Sequence, residues 1–324
     1  MNLSKQSLIL FLSLTVAGAF AQGVNLFPTK QIRVVVPITA GSATDTIVRA
    51  VAEKMRSNLG QTLLIDNRPG AGTTIGASIV AKSTPDGYTL LANSTAQTAN
   101  PFLYKNLSYD GVADFVGVTP LASMPNILVV SASSPFKTVS DLVATAKTRP
   151  GQLNYASAGT GTGTHLSAEK FRIAANIVAE HIPLKGSPEA ITEIISGRLD
   201  WYFAPGVTVI NLIKEGKLRA LAVGSKNRSS LFPGLPTTEE AGIPGSALNF
   251  WVALFAPAKT PKDVLEKLNS EANSALQSPE VKAIFSRLGA EPMIQSVADF
   301  NKGLEEEFRI TQSLVNSANI KSQD

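Results

Sequence analysis

Cysteine is absent from this chain of 324 residues. A chain without cysteine has no disulfide bridge, no thiol nucleophile and no thiolate metal site. Histidine is scarce, since only His165 and His181 are present, and two distant histidines without a carboxylate cluster disfavour a catalytic metal site. The nucleophile elbow G-x-S-x-G of serine hydrolases does not occur. We therefore expect a protein that is not an enzyme and that carries no cofactor.

The sequence also has little net charge, and an apolar run stands near the N-terminus. A net charge of +4 is too small to indicate a nucleic-acid partner. The apolar run Leu8–Val16 lies between Lys5 and the A-x-A site Ala19-Phe20-Ala21, which is the pattern of a signal peptide. We predict that residues 1–21 are a signal peptide cleaved after Ala21 and that the mature protein is periplasmic. The alternative is a buried N-terminal helix.

Two glycine-rich segments suggest nucleotide binding, but both lack the residues that it requires. Gly70 to Gly76 has GxGxxxG spacing after a strand, yet no acidic residue ends a second strand about twenty positions later. Gly159, Gly161 and Gly163 alternate without the third glycine of the dinucleotide motif, and GxxxxGK[ST] is absent. These patterns argue against nucleotide binding.

A short strand, a loop of small residues and a helix follow one another from Ile32 to Leu59. The apolar run from Ile32 to Val36 is typical of a buried parallel strand, and Asp45 and Arg49 lie four residues apart at the start of the helix. The free N–H groups of a helix N-terminus form an anion site, which small residues leave open to a ligand. The alternative is a plain βα turn. The candidate binding residues here are Thr39, Ala40, Gly41, Ser42, Ala43, Thr44 and Asp45.

The same arrangement recurs between Gln152 and Ala174. A second small, hydroxyl-rich loop, Ser157–Thr164, precedes a second helix. Neither loop contains Lys or Arg, so backbone N–H groups and hydroxyls would hold an anion, which suits a carboxylate that is later released. The candidates here are Ser157, Ala158, Gly159, Thr160, Gly161, Thr162 and the nearby His165. His165 lines the cleft or, alternatively, packs at a domain surface.

Further candidates stand where other predicted strands end. Open α/β sheets bind ligands at the carboxyl ends of their strands. Ser94 and Thr95 follow the predicted strand Tyr88–Ala92. Phe203, Ala204 and Pro205 end the aromatic strand that starts at Trp201, and Trp251 is a further aromatic candidate.

Strands alternate with helices along the whole chain, which predicts an α/β fold of parallel sheets covered by helices. Two separate strands are expected near Phe115–Val118 and Ile127–Val130. Two C-terminal helices are expected near Pro261–Gln277 and Val297–Ser317. The chain is expected to pass between two domains near Pro125 and again near Phe250.

The chain resembles the Bug/TctC family of periplasmic solute receptors, the binding proteins of tripartite tricarboxylate transport. The segments that carry the resemblance occur in the family's order and cover essentially the whole mature chain. They are Ile32–Arg49, Asp66–Gly76, Pro85–Leu91, Asn154–Glu169, Leu218–Ser225 and Pro236–Gly245.

The resemblance implies a two-domain periplasmic-binding-protein fold of the Venus flytrap, type II-like, in which each domain is a mainly parallel sheet flanked by helices. Domain 1 would comprise residues 25–125 plus 250–324, and domain 2 residues 126–249. The two small-residue loops would together hold a ligand carboxylate, often through bridging waters. Ala204-Pro205 stands where many relatives have an Asp that binds an amino group, and Ile38 where an aromatic residue is common. The change at Ala204-Pro205 favours a di- or tricarboxylate or an aromatic carboxylate over an amino acid.

We therefore expect a monomeric periplasmic receptor that passes a small carboxylate to membrane permease subunits. A receptor that presents its ligand to a membrane sensor has the same sequence features, so this alternative stays open. A third alternative is an exported hydrolase that depends on His165. The partner itself is not encoded in this chain.

Overall fold

The structure, a computed structural model, describes residues 27–320. The predicted signal peptide lies outside these residues. Strands and helices alternate along most of the described chain, as the sequence pattern indicates. No helix within residues 27–320 is both long enough and apolar enough to cross a membrane.

The first part of the fold consists of three strands, each followed by a helix. The run Ile32–Val36 forms the first strand, and the first helix ends where Gly60 adopts a left-handed conformation (φ 65°) and donates its N–H to the Arg56 carbonyl. The third helix is not foreseen by the sequence analysis. The elements are β1 (Ile32–Val36), α1 (Ala43–Leu59), β2 (Leu63–Asn67), α2 (Thr74–Ala81), β3 (Thr89–Asn93) and α3 (Ala96–Leu103).

One long strand replaces the two that were predicted around residue 120. β4 runs without interruption over Phe115–Ser131. Its register shifts between Gly117 and Thr119 and again between Pro120 and Ala122. Such bulges let a strand accept a proline that cannot donate to its neighbour, so Pro120 does not end the strand.

The middle of the chain repeats the alternation of strands and helices. A capping box, in which Thr138 and Asp141 exchange side-chain and backbone hydrogen bonds, starts the first of these helices. The elements are α4 (Val139–Thr148), β5 (Asn154–Ser157), α5 (Gly163–Ala175), β6 (Glu180–Pro183), α6 (Ser187–Ile195), β7 (Trp201–Pro205), α7 (Gly206–Lys214) and β8 (Leu218–Val223).

The C-terminal part contains the two predicted helices and one that was not predicted. The extra helix, α9, starts where Ser278 accepts a hydrogen bond from the Val281 N–H and Pro279 occupies the first helical position. The elements are β9 (Asn249–Pro257), α8 (Lys262–Gln277), α9 (Pro279–Leu288), β10 (Glu291–Pro292) and α10 (Val297–Ala318).

The strands form one mixed sheet in the order β2-β1-β3-β9-β4-β7-β5-β6, and β8 and β10 also pair with β4. Strands linked by helices pair in parallel, as predicted, in β1 with β2 and β3 and in β5 with β6 and β7. β4 and β9 instead pair antiparallel, so the sheet is not mainly parallel. We call strands β2, β1, β3 and β9 with their helices the β1 side, and strands β7, β5 and β6 with theirs the β5 side.

β4 belongs to both sides of the sheet. Its first part, Phe115–Pro125, pairs with β9, whereas Asn126–Val129 pairs with β7. Separate apolar cores lie on the two sides. On the β1 side α1 packs Ile47, Val51 and Met55 into one core together with residues of β1 and α8, and on the β5 side Trp201 and Phe203 lie in another.

Candidate functional site

A small cavity lies where the β1 side faces the β5 side. Its volume is about 20 Å³, which is room for one or two water molecules. None of its lining residues is charged. They are Pro37, Ile38, Ala43, Thr44, Thr73, Asn93, Ser94 and Phe250 from the β1 side, and Ala158, Thr162, Thr164, Ser187 and Pro205 from the β5 side.

The first small-residue loop reaches the cavity through its last members. Ala43 and Thr44, the first two residues of α1, line the cavity, and the Ser42 side chain does not cap the helix. The first N–H groups of a helix have no acceptor within it, so these N–H groups can serve an anion. Ala40 and Gly41 are exposed and do not line the cavity.

The remaining residues of this loop contact the β5 side directly. Ser42 Oγ accepts a hydrogen bond from the Ser187 N–H at 3.1 Å. Thr39 Oγ1 donates to Glu189 Oε1 at 2.8 Å, and the Thr39 N–H donates to the Lys185 carbonyl at 3.3 Å. The two sides are therefore joined beside the cavity, and the N-termini of α1 and α6 lie next to each other.

Asp45 holds the first loop in shape and does not line the cavity. Its carboxylate accepts hydrogen bonds from the Gly41 N–H at 2.9 Å, from Arg49 Nε at 3.0 Å and from Asn67 Nδ2 at 3.0 Å. Burial opposes ionisation of this group, but these donors outweigh burial and lower the pKa of Asp45 below its usual value. With its oxygens so occupied, Asp45 acts on a ligand only through the loop.

The second small-residue loop contributes Ala158 and Thr162 to the cavity, together with Thr164. Thr162 Oγ1 donates to the Gly159 carbonyl at 2.6 Å and lies 2.9 Å from Thr164 Oγ1, which accepts from the Ala158 N–H at 2.9 Å. These hydroxyls brace the loop. Thr162 leaves the N-terminus of α5 without a side-chain cap, so its first N–H groups can also serve an anion.

The other predicted members of this loop turn away from the cavity. Ser157 Oγ lies 2.6 Å from His181 Nε2 and accepts a hydrogen bond from the Gly159 N–H at 3.1 Å. The Gly161 N–H donates to a histidine behind the loop, and Thr160 is buried without lining the cavity. Ser157 is fully buried, so its contact with His181 does not form an accessible nucleophile.

His165 lies behind the second loop and not in the cleft. Its Nδ1 accepts the Gly161 N–H at 3.1 Å, and its ring stacks on His181 with centroids 3.9 Å apart. Burial lowers the pKa of His165 to about 3, and burial together with the neighbouring His165 lowers the pKa of His181 to about 3. Both rings are therefore neutral near pH 7 and support the loop as packed aromatic groups.

The N-terminus of α3 supplies a third polar edge of the cavity. Ser94 lines it, as predicted from the end of β3. No hydrogen bond of the Ser94 or Thr44 hydroxyl to another residue of the range 27–320 is found. Thr95 lies just outside the lining, and its Oγ1 is buried with no partner among those residues.

The end of β7 contributes a single residue to the cavity. Pro205 lines it, whereas Ala204 and Phe203 are fully buried in the cores. Phe203 packs on Phe171 with centroids 5.5 Å apart. Trp251 likewise belongs to a core, and its neighbour Phe250 faces the cavity instead.

Seven lining residues were not among the predicted site residues. A usable signal existed for most of them, because they stand at the carboxyl ends of strands or at the first turn of a helix. Phe250 could have been found only by knowing which face of β9 points to the cavity. The seven are Pro37, Ile38, Thr73, Asn93, Thr164, Ser187 and Phe250.

The chemistry of this arrangement suits an anion held without a counter-charge. Residues at the N-terminal ends of α1, α2, α3, α5, α6 and α7 surround one cavity. Each helix N-terminus carries a partial positive charge of roughly half an elementary unit. Within residues 27–320 no group of three or more His, Cys, Asp or Glu is placed to hold a metal ion.

Comparison with known proteins identifies the family of this chain. The family described as tripartite tricarboxylate transporter family receptor matches residues 47–320. The chain belongs to this receptor family. BugT of Bordetella pertussis is 33% identical over 91% of this chain and 91% of its own. A Pseudomonas sp. protein encoded in the tcbD-tcbE intergenic region is 38% identical over 86% of this chain and 83% of its own.

Solved structures of this receptor type share the fold. R. palustris Rpa4515 with adipate superposes with a TM-score of 0.88 at 33% identity, covering 92% of this chain and 100% of that one. MatC from Rhodopseudomonas palustris with bound malate gives a TM-score of 0.84 at 30% identity, covering 89% and 100%. The chain is thus a solute-binding receptor of the Bug/TctC type, a family of receptors and not of enzymes.

Proposed function

We propose that this receptor captures a small carboxylate, either a di- or tricarboxylate or an aromatic carboxylate, in the cavity between its two sides. The observation that carries the proposal is the convergence of six helix N-termini on one cavity without charged lining residues. Uncapped N–H groups at the ends of α1 and α5 would donate hydrogen bonds to an anion. The adipate and malate bound by two relatives support the same ligand class.

The ligand would be held between two lobes that open and close. The lobes of the proposal are residues 25–125 plus 250–324 and residues 126–249, joined near Pro125 and Phe250. The partner change within β4 between Pro125 and Asn126 supports a crossing there. The present cavity measures about 20 Å³ and lies between the two sides, so the lobes would separate to admit a carboxylate and would then close around it with a cavity wider than the present one. Closure depends on the ligand because the ligand contacts both lobes.

A thermal-shift screen of the purified mature protein tests this function. The panel contains adipate, malate, citrate, benzoate and glutamate, together with glucose and putrescine as compounds that are not carboxylates. Binding to the folded state alone stabilises it by about 2.7 kcal/mol at a hundredfold excess over the dissociation constant, which is enough for a visible shift. We expect a shift with one of the carboxylates and none with glucose or putrescine.

Two variants connect such a shift to the cavity. Thr44→Val and Ser94→Ala remove the two lining hydroxyls that have no hydrogen-bond partner within residues 27–320, and both should weaken binding of the carboxylate. Ser57→Ala, on an exposed turn of α1, is the matched control and should leave the shift unchanged. Shifts that survive both cavity variants, or that occur only with glucose or putrescine, would contradict the proposed site.

The receptor would act as a monomer in the periplasm and deliver its ligand to membrane permease subunits. Presentation of the ligand to a membrane sensor is the alternative, and co-purification with a permease or with a sensor kinase distinguishes the two. A receptor binds stoichiometrically and releases its ligand unchanged. An exported hydrolase would instead turn over an ester and lose activity in His165→Ala, a residue that lies behind the loop in this structure.

A further inference from the structure

The C-terminal helix α10 connects the two sides of the molecule at its last turn. Its beginning is fixed to the β1 side, where Asn301 exchanges two hydrogen bonds with the backbone of Gly117 at 2.9 and 2.8 Å. Farther along, Thr311 Oγ1 lies 3.0 Å from Thr98 Oγ1 of α3. Its end instead contacts α5, which belongs to the β5 side.

A single arginine makes the polar part of this contact. Arg172 of α5 donates from Nη2 to the carbonyl of Ala318, the last residue of α10, at 3.1 Å. The last carbonyls of a helix have no donor within it, and a cation suits their partial negative charge. Arg172 therefore serves as a charged cap for a helix on the opposite side of the molecule.

The arginine is held in position by its own helix and by β5. Glu169 accepts from Arg172 Nη2 at 2.7 Å and from Nε at 3.0 Å, and Glu169 also accepts from the Tyr155 hydroxyl. The Glu169 side chain is 6% exposed. Tyr155 lies in β5 and Glu169 in α5, the two elements that flank the second loop of the cavity. The cap is thus connected rigidly to the binding loop.

An apolar cluster surrounds this polar contact. Leu166 of α5 is 1% exposed and packs with Ala99 and Leu103 of α3 and with Val315 of α10. Leu314 and Ile320 pack against the same cluster. Leu166 is the buried β5-side member, and the others named belong to the β1 side. Separation of the two sides at this point would expose the cluster and remove the donor from the Ala318 carbonyl.

We propose that the last turn of α10 is a latch that stabilises the closed receptor through the Arg172–Ala318 hydrogen bond and the cluster around Leu166. This inference rests on the opening and closing of the lobes in the proposed function. Because the latch touches no ligand, it changes the population of the closed state and not the choice of ligand. Its loss lowers the affinity for every carboxylate by the same factor.

The absence of cysteine makes a direct distance measurement possible. Spin labels at Ser57→Cys in α1 and Lys147→Cys in α4, both exposed positions, would be the only labels on the protein. The ligand-free parent should contain a closed population. Arg172→Gln should raise the ratio of open to closed molecules by roughly tenfold, the size expected for one hydrogen bond from a charged donor.

A second variant removes the Ala318 carbonyl, which is the acceptor, and leaves the Glu169–Arg172 ion pair intact. A chain ending at Asn316 lacks the Ala318 carbonyl and Ile320, so it tests the latch without an unpaired buried Glu169. It should also open the lobes, and Arg172→Gln should add little more in this background, because both changes break the same contact. Arg198→Gln is the matched control: Arg198 pairs with Glu193 on the β5 side and has no contact with α10.

A ligand-free parent with only open distances would overturn the latch, as would either variant with the distances of the parent. Carboxylates that shift the melting temperature add a second readout. Equal weakening of two of them by Arg172→Gln supports the latch, and a change in their ratio contradicts it. The distances need no ligand, so lobes that open in both variants while no carboxylate binds would refute the proposed function and leave the latch standing.

Discussion

Ser42 and Ser187 are 145 residues apart in the chain, yet the Ser187 N–H donates a hydrogen bond to Ser42 Oγ at 3.1 Å. Both side chains are buried, at 0% and 1% exposure. Each residue stands at the N-terminal end of a helix, Ser42 before α1 and Ser187 at the start of α6. Two of the helix N-termini that face the cavity are thereby linked directly, and the link joins the β1 side to the β5 side.

Replacement of Ser42 by alanine should weaken the closed state. The change leaves the buried Ser187 N–H without an acceptor, which costs about 1–3 kcal/mol, and an open receptor recovers that cost by exposing the group to water. We expect the dissociation constant of the bound carboxylate to rise about tenfold, as measured by calorimetry. Ser57→Ala serves as the control, and an unchanged dissociation constant in Ser42→Ala would contradict the role of this link.

The first loop could be predicted from the sequence because its determinants are local. The strand at Ile32, the small residues and the Asp45–Arg49 pair all lie within one short segment, and the pair forms as expected at 2.9 Å. The position of His165 could not be predicted. Which face of α5 carries His165 away from the cavity depends on the stack that this ring forms with His181 from another strand. Phe250 was missed for the same reason, since β9 is buried on both faces.

Two helices were missed, and the sequence argues against only one of them. α3 contains Pro101 and buries the polar residues Gln97, Thr98 and Asn100, so its buried face is not purely apolar. Its polar residues are satisfied only by distant parts of the chain, as when Asn100 Nδ2 donates to the Gly72 carbonyl at 3.0 Å. α9 follows α8 with only Ser278 between them. Tertiary contacts, which a single sequence does not display, decide α3, whereas Ser278 and Pro279 are signals in the sequence that a helix starts at α9.

Asp45 should make the stability of the fold depend on pH in the acidic range, down to pH values below those at which an aspartate ordinarily titrates. Its pKa in the folded protein is lower than in the unfolded chain, so the unfolded chain takes up the proton first as the pH falls. The stability that the carboxylate contributes is fully present well above about pH 4 and is lost as the pH falls through the lowered pKa. Urea unfolding at pH 6 and pH 3 should therefore show a difference between Asp45→Asn and the parent that shrinks at pH 3. A difference that is the same at both pH values would contradict this role.

The two stacked histidines should affect the stability of the fold at a higher pH than Asp45 does. In the unfolded chain a histidine titrates near pH 6.5, whereas burial lowers the pKa of His165 and of His181 to about 3 in the fold. Between these values the unfolded state binds more protons, so stability is greatest above about pH 6.5 and falls as the pH is lowered toward 3, by at most about 1.4 kcal/mol per pH unit for each ring.

Single replacements should reduce this slope. His181→Phe keeps a ring in the stack and removes one titrating group, so the free energy of unfolding should fall less steeply between pH 6.5 and pH 4.5 than in the parent. Urea unfolding at several pH values measures the slope, and Asp45→Asn is the control because its effect belongs to lower pH. A slope unchanged by His181→Phe would show that this ring is not kept neutral by the fold.

Gly163 should be essential for closure because a side chain at this position would clash with residues of the opposite side. A Cβ atom at this position would lie 2.5 Å from Phe250 Cδ2 and 2.6 Å from Thr95 Oγ1, distances that no real Cβ tolerates. Both neighbours belong to the β1 side, whereas Gly163 starts α5 on the β5 side, so opening of the lobes relieves the clash. Gly163→Ala should therefore raise the dissociation constant of the carboxylate by at least about tenfold, a cost of about 1.4 kcal/mol, while the ligand-free protein keeps its fold.

Gly303→Ala is the matched control, since a Cβ in this turn of α10 meets nothing within 4 Å and alanine favours a helix over glycine by about 1 kcal/mol. Calorimetry with the carboxylate found in the thermal-shift screen decides the case: tight binding by Gly163→Ala would mean that the receptor holds its ligand without the closure seen in this structure.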